Sequence, residues 1–115
     1  MITPYIPRLD QSGGQRHSFF TLKYLSQTNN ITLICYSRDE EGIKEIRQYC
    51  QKIIIVKRSA TWSLQNILAT GFGIYPFLLV NYINKDFRQA IENEINTGNF
   101  DIIHCDCLYP MANIP

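Results

Sequence analysis

The chain lacks most of the features that announce a specialised function. Eleven Lys and Arg stand against ten Asp and Glu, a formal net charge of +1. Bulk charge therefore points to neither nucleic acid nor an acidic partner. Lys57-Arg58 is the one adjacent pair of formal cations, and a solvated strand end accounts for it better than a binding patch. No G-x-G-x-x-G occurs and no Gly-Lys-Ser/Thr, which removes the dinucleotide fingerprint and the P-loop. No G-x-S-x-G occurs, so a serine hydrolase has no elbow for its nucleophile. A receiver-type signalling domain needs an Asp at the end of its third strand. Here that place reads Lys57-Arg58-Ser59. There is no internal repeat and no low-complexity stretch. Nothing basic precedes an apolar run and a small-residue cleavage site, so no signal peptide is read.

The four cysteines, Cys35, Cys50, Cys105 and Cys107, fit no zinc spacing, and no metal site is expected. Cys35 and Cys105 sit inside apolar runs, where a thiol behaves as a small hydrophobe. Buried or incidental thiols in a reducing, cytoplasmic setting are the plain reading. The most apolar long stretch, residues 64–83, contains Gln65, Asn66, Gly71, Gly73, Pro76 and Asn81. These are too many polar and breaking residues for a membrane span. A buried helix and loop is preferred there, with a surface resting on a membrane as the sharper alternative.

What is present is a globular composition, 45% hydrophobic and 18% charged, which argues against disorder. At 115 residues it is one domain at most. Strand and helix alternate. Residues 2–6 read as a strand limited by Pro4 and Pro7, then residues 7–14 as a loop. Residues 15–27 read as a helix, with Phe19, Leu22 and Leu25 at i+3 and Phe20 and Tyr24 at i+4. Residues 31–36 form a continuous apolar-rich run, the kind buried on both faces of a parallel sheet. Ser37-Arg38-Asp39-Glu40-Glu41 opens a second helix whose acids crowd its first turn, with Ile43, Ile46 and Cys50 inward. Residues 52–56 are a third strand and residues 61–70 look helical. Residues 85–97 form a helix with Phe87, Ile91 and Ile95 at i+4, ended by Gly98. Residues 100–105 are a fourth strand. This order predicts an α/β fold: a doubly wound, Rossmann-like parallel sheet, partial, of about four strands with flanking helices. The spatial order 3-2-1-4 opens a crevice between strands 1 and 4.

Two chain ends face that crevice. Ser12-Gly13-Gly14 lies between a strand and a helix. Glycines there permit positive φ and close approach of a ligand, and the helix start offers unpaired N–H groups to a phosphate or sugar hydroxyl. A plain turn before a helix explains the same pair. Arg16 and His17 occupy the first helical turn, as anion contacts or as solvated surface residues. His104 and Asp106 lie two apart and should point to one side. They read as an acid/base or sugar-binding pair or as half-buried structural groups.

Ile2-Thr3-Pro4-Tyr5-Ile6-Pro7, Ser12-Gly13-Gly14, Leu22-Lys23-Tyr24-Leu25-Ser26 and Ile31-Thr32-Leu33-Ile34 resemble the N-terminal domain of family 4 glycosyltransferases. Asp101-Ile102-Ile103-His104-Cys105-Asp106 resembles that domain's D-V-V-H strand and the loop after it. The likeness spans essentially the whole chain. It implies the GT-B fold, two Rossmann-like domains facing a cleft, with the acceptor held mostly by the N-terminal one. On this reading residues 1–115 are a partial N-terminal domain and the C-terminal donor-binding domain is absent. Transfer in the family is typically metal-independent and retaining, with a nucleotide-sugar as co-substrate and no other cofactor.

Carried over, Gly13 and Gly14 match the glycine loop near the donor phosphates. Arg16 or His17 matches the basic position early in the first helix. His104 matches the first His of the H-x-H that many members carry, and Asp106 stands where the second, catalytic His is found. The implied partners are a nucleotide-sugar, a glycan or lipid-linked acceptor of cell-envelope polysaccharide synthesis, the missing second domain and no nucleic acid. The implied location is the cytoplasm, peripheral to the inner face of the membrane where the acceptor is lipid-linked. No transfer is expected from this chain alone. The alternatives are a non-enzymatic remnant, a small α/β binding module with an uncovered sheet edge, or a nucleotide-binding half of another class.

Overall fold

The computed structural model describes residues 1–58, Leu79 and residues 81–115. The helix expected over residues 61–70, and residues 64–83 apart from Leu79 and residues 81–83, lie outside the described residues. The described chain is α/β. Strands β1 (Ile2–Thr3), β2 (Thr32–Ser37) and β3 (Lys52–Lys57) form a parallel sheet in the order β1-β2-β3. Ile2 pairs with Ile34, and β2 runs against β3 from Thr32↔Lys52 to Ser37↔Lys57. The helices are α1 (Gly13–Leu25), α2 (Ile43–Ile46) and α3 (Lys85–Thr97). Short 3₁₀ turns follow at Arg47–Tyr49 and Tyr109–Asn113.

The apolar runs of β2 and β3 are explained by cover on both faces. Leu33 and Cys35 pack with Phe19 and Leu22 of α1 and Ile43 and Ile46 of α2, joined by Ile53 and Ile55. Ile34 and Tyr36 point the other way, onto Phe87 and Ile91 of α3, joined by Ile54 and Val56. Each buried Leu, Ile or Phe of these layers contributes roughly 1.5–3 kcal/mol of burial.

Helices α1 and α3 begin where a side chain supplies the cap. Ser12 accepts from the Gln15 N–H, so α1 starts two residues earlier than its hydrophobic period suggests. Asn84 accepts from the N–H groups of Asp86 and Phe87, and α3 runs over the span its i+4 pattern predicts. Helix α2 is shorter than expected. Ser37 and Asp39 bond nearby backbone instead, with Asp39 Oδ1 accepting from Glu41 N–H at 3.0 Å. Such local bonds compete with helix formation, so the acids precede the helix. Gly42 then turns the chain at φ +84, and a Cβ there would lie 2.8 Å from Arg8 Cγ.

The fourth strand departs most from expectation. Residues 100–105 make one parallel bridge, Cys105 with Ile2, on the side of β1 away from β2. Ile2 N–H donates to His104 O at 2.8 Å, and Asp106 N–H to Ile2 O at 2.9 Å. Along a strand, donors toward one neighbour recur every second residue. The next donor toward this segment belongs to residue 4, and Pro4 has no N–H. Strand β1 ends at Thr3, short of the expected residue 6, where the Thr3 hydroxyl donates to Tyr5 O at 2.6 Å. Phe100, Ile102 and Ile103 are left 41%, 79% and 45% exposed.

Candidate functional site

Beyond the C-terminal end of β1 three segments meet. The loop after β1 brings Tyr5, the start of α1 brings Gly14, His17 and Ser18, and the segment after the Cys105 bridge brings Asp106. Ser18 is fully buried. Its Oγ lies 3.1 Å from Gly14 O and donates to Asp106 Oδ2. The other carboxylate oxygen faces His17 Nε2 at 3.7 Å. The His17 side chain is 73% exposed and that of Asp106 13%.

Tyr5 closes the group. Burial raises the pKa of its hydroxyl more than the neighbouring Ser18 lowers it. A Cβ on Gly14 would stand 2.5 Å from the Tyr5 hydroxyl oxygen, whereas one on Gly13 would meet nothing within 4 Å. Cys107, directly after Asp106, holds φ 108, a strained conformation for a residue with a Cβ.

The carboxylate stands between the serine and the histidine. No imidazole therefore faces the Ser18 hydroxyl, and the trio does not have the order of a nucleophilic triad. Asp106 is instead an acceptor steadied from one side by a buried hydroxyl, with one oxygen toward solvent and His17. That arrangement suits binding a hydroxyl or accepting its proton.

The sequence-derived residues are distributed unevenly. Gly13 and Gly14 belong to the first turn of α1 rather than to a loop, and neither has positive φ. Ser12 capping draws them into the helix. Gly14 is required by the close approach of Tyr5. His17, not Arg16, faces Asp106: Arg16 Nε turns back to Leu9 O at 3.1 Å. His104 is exposed and joins through its backbone oxygen, whereas Asp106 is engaged by α1. Sequence reasoning missed Tyr5 and Ser18. The only signal for Ser18 is a small polar residue one position before Phe19 on the buried face of α1.

Beside this cluster a cleft of about 390 Å³ spans the C-terminal ends of all three strands. Tyr5 lines it, as do Arg8, Arg38 and Arg58. Arg8 is fully matched: Nε and Nη2 bond Asp10 at 2.9 and 2.8 Å, and Nη1 bonds Glu41 at 3.0 Å. The bonds to Asp10, then to Glu41, raise the Arg8 pKa, and Arg8 lowers that of Asp10. Arg58 is half-buried, not the solvated strand end read from the sequence.

Among the described residues no group of three or more His, Cys, Asp or Glu is placed to hold a metal ion. No helix among them is long and apolar enough to cross a membrane. Comparison with protein-family profiles, with characterised proteins and with solved structures returns no match.

Proposed function

We propose that the chain is the acceptor-side, N-terminal Rossmann-like domain of a family 4 glycosyltransferase of GT-B architecture. The segment around Cys105 takes the place of a fourth strand in a doubly wound sheet. The observation that carries this reading is the meeting of Asp106 with His17 and Ser18 beyond β1. In that place a sugar hydroxyl has a carboxylate acceptor and an anion has the His17 imidazole and a helix start beside it.

On this reading Asp106 contacts a sugar. The exposed N–H groups of Gly13 and Gly14 approach the donor phosphates, and His17 steadies the negative charge. The donor is a nucleotide-sugar and the acceptor a glycan or lipid-linked saccharide, handled in the cytoplasm or at the inner membrane face. Catalysis requires a second, donor-binding domain.

The test is an amide-resolved NMR titration of the 115-residue chain with a panel of nucleotide-sugars and saccharides, beside a sugar-transfer assay. Saturable shifts at residues 13–18, weakened in Asp106→Asn, are expected, with no transfer. Absence of any saturable shift there would remove the glycosyl reading. Measurable transfer by this chain would remove the need for a second domain. A second reading, a binding module without enzymatic activity, draws on the exposed Phe100, Ile102 and Ile103 beside β1. Concentration-dependent dimerisation with no response to nucleotide-sugars would favour it.

A further inference from the structure

The cleft holds a cation that glycosyl transfer at Asp106 does not use. Arg58 follows β3 directly, and its N–H donates to Ser37 O at 3.3 Å. Its guanidinium lies over the Tyr82 ring, 4.3 Å from the centroid. That ring is a fixed platform. It stacks on Tyr109 at 4.9 Å and meets Tyr36 edge-on at 6.1 Å. The Tyr82 carbonyl is clamped by two donors, Tyr36 Oη and Asn113 Nδ2, each at 2.6 Å.

A guanidinium held over a ring can still pair an anion through its terminal N–H groups. Arg58 makes no such pairing among the described residues, and its Nε is buried without a hydrogen-bond partner. A covered, charged donor left unpaired is costly. Arg8 on the same wall shows the contrast, since Asp10 and Glu41 engage all three of its guanidinium nitrogens. Arg38 lines the cleft as a second cation with no ion pair among the described residues. The nearby Asp39 carboxylate is turned to the Glu41 N–H.

We propose that this cleft binds the phosphate group of a small soluble molecule, with Arg58 as the forked donor and Arg38 as the second cation. Arginine pairs a phosphate through two parallel N–H bonds, and about 390 Å³ is room for a compact organic phosphate. The proposal does not rest on the glycosyl reading: it stands even where nothing binds at Asp106.

The test titrates the full chain with inorganic phosphate and with glycerol 1-phosphate, against chloride at matched ionic strength. Saturable NMR shifts are expected at residues 36–39, at Arg58 and at its Nε–H. Affinity should fall at least about tenfold in Arg58→Gln, fall less in Arg58→Lys, which keeps the charge without the fork, and stay unchanged in Arg88→Gln. Tighter binding of the ester than of the bare anion supports the organic phosphate. Equal affinities overturn that assignment. Absence of saturable shifts, an unchanged affinity in Arg58→Gln, or binding seen only with anionic phosphatidylglycerol vesicles overturns the proposal. Should Arg58→Gln fail to fold, Arg58→Lys and the wild-type Nε–H signal decide: a resonance unmoved by phosphate is the negative result.

Discussion

Replacing Ser18 by alanine tests whether the last segment is held to α1 by a charge-assisted bond. Ser18 is fully buried, and its hydroxyl donates to an Asp106 carboxylate that is 13% exposed. A hydrogen bond to a charged group contributes about 1.5–3 kcal/mol. Alanine recovers about 0.5 kcal/mol of helix propensity, and the part-exposed carboxylate regains some water. The net cost should be about 1–2 kcal/mol. Asp106→Ala should cost about 1 kcal/mol, because the freed Ser18 hydroxyl still has Gly14 O, 3.1 Å away. Urea unfolding of wild type, both single variants and the double variant closes a thermodynamic cycle, and its coupling should be about 1–2 kcal/mol. Hydrogen exchange at Asp106 N–H, bonded to Ile2 O, should quicken in Ser18→Ala while β2 amides stay protected. A coupling below about 0.5 kcal/mol, or unchanged exchange, would refute the reasoning.

Phe87→Ala should cost about 3–4 kcal/mol in urea or thermal unfolding, since Phe87 is fully buried and stacked on Tyr36 at 3.9 Å. Ile95→Ala, at a partly buried position, should cost clearly less. Gly13→Ala should stabilise by up to about 1 kcal/mol, the usual gain for a helical glycine. Gly14→Ala should lose that gain or destabilise, because its Cβ meets the Tyr5 hydroxyl. Equal urea midpoints for the two variants would contradict the close approach. Burial pushes the Cys35 thiol from 9.0 up to about 12, so the folded state holds its proton more tightly than the unfolded chain. Stability from this group is complete below pH 9 and declines between pH 9 and about 12. Cys35→Ala should flatten that decline, and Cys35 should resist iodoacetamide at neutral pH until the chain unfolds.

What the sequence determined by itself is its local order. Helix α3 follows from an Asn cap, an i+4 stripe of Phe87, Ile91 and Ile95, and a glycine at the end. Strands β2 and β3 follow from apolar runs too continuous for one-sided cover. Such signals are legible because their causes lie within a few residues. Tertiary structure decided the rest. The pairing of the last segment with β1 stops at Asp106 because Pro4, about a hundred residues earlier, withholds the next donor. Gly14 serves Tyr5 rather than a turn, and only packing between the β1 loop and α1 reveals it. Ser18 acquires its partner 88 positions away. Arg58, which the sequence presents as a surface cation, rests on a ring that Tyr36 and Asn113 hold in place. Neighbours in space set the burial and pairing of these groups, and no local pattern encodes those neighbours.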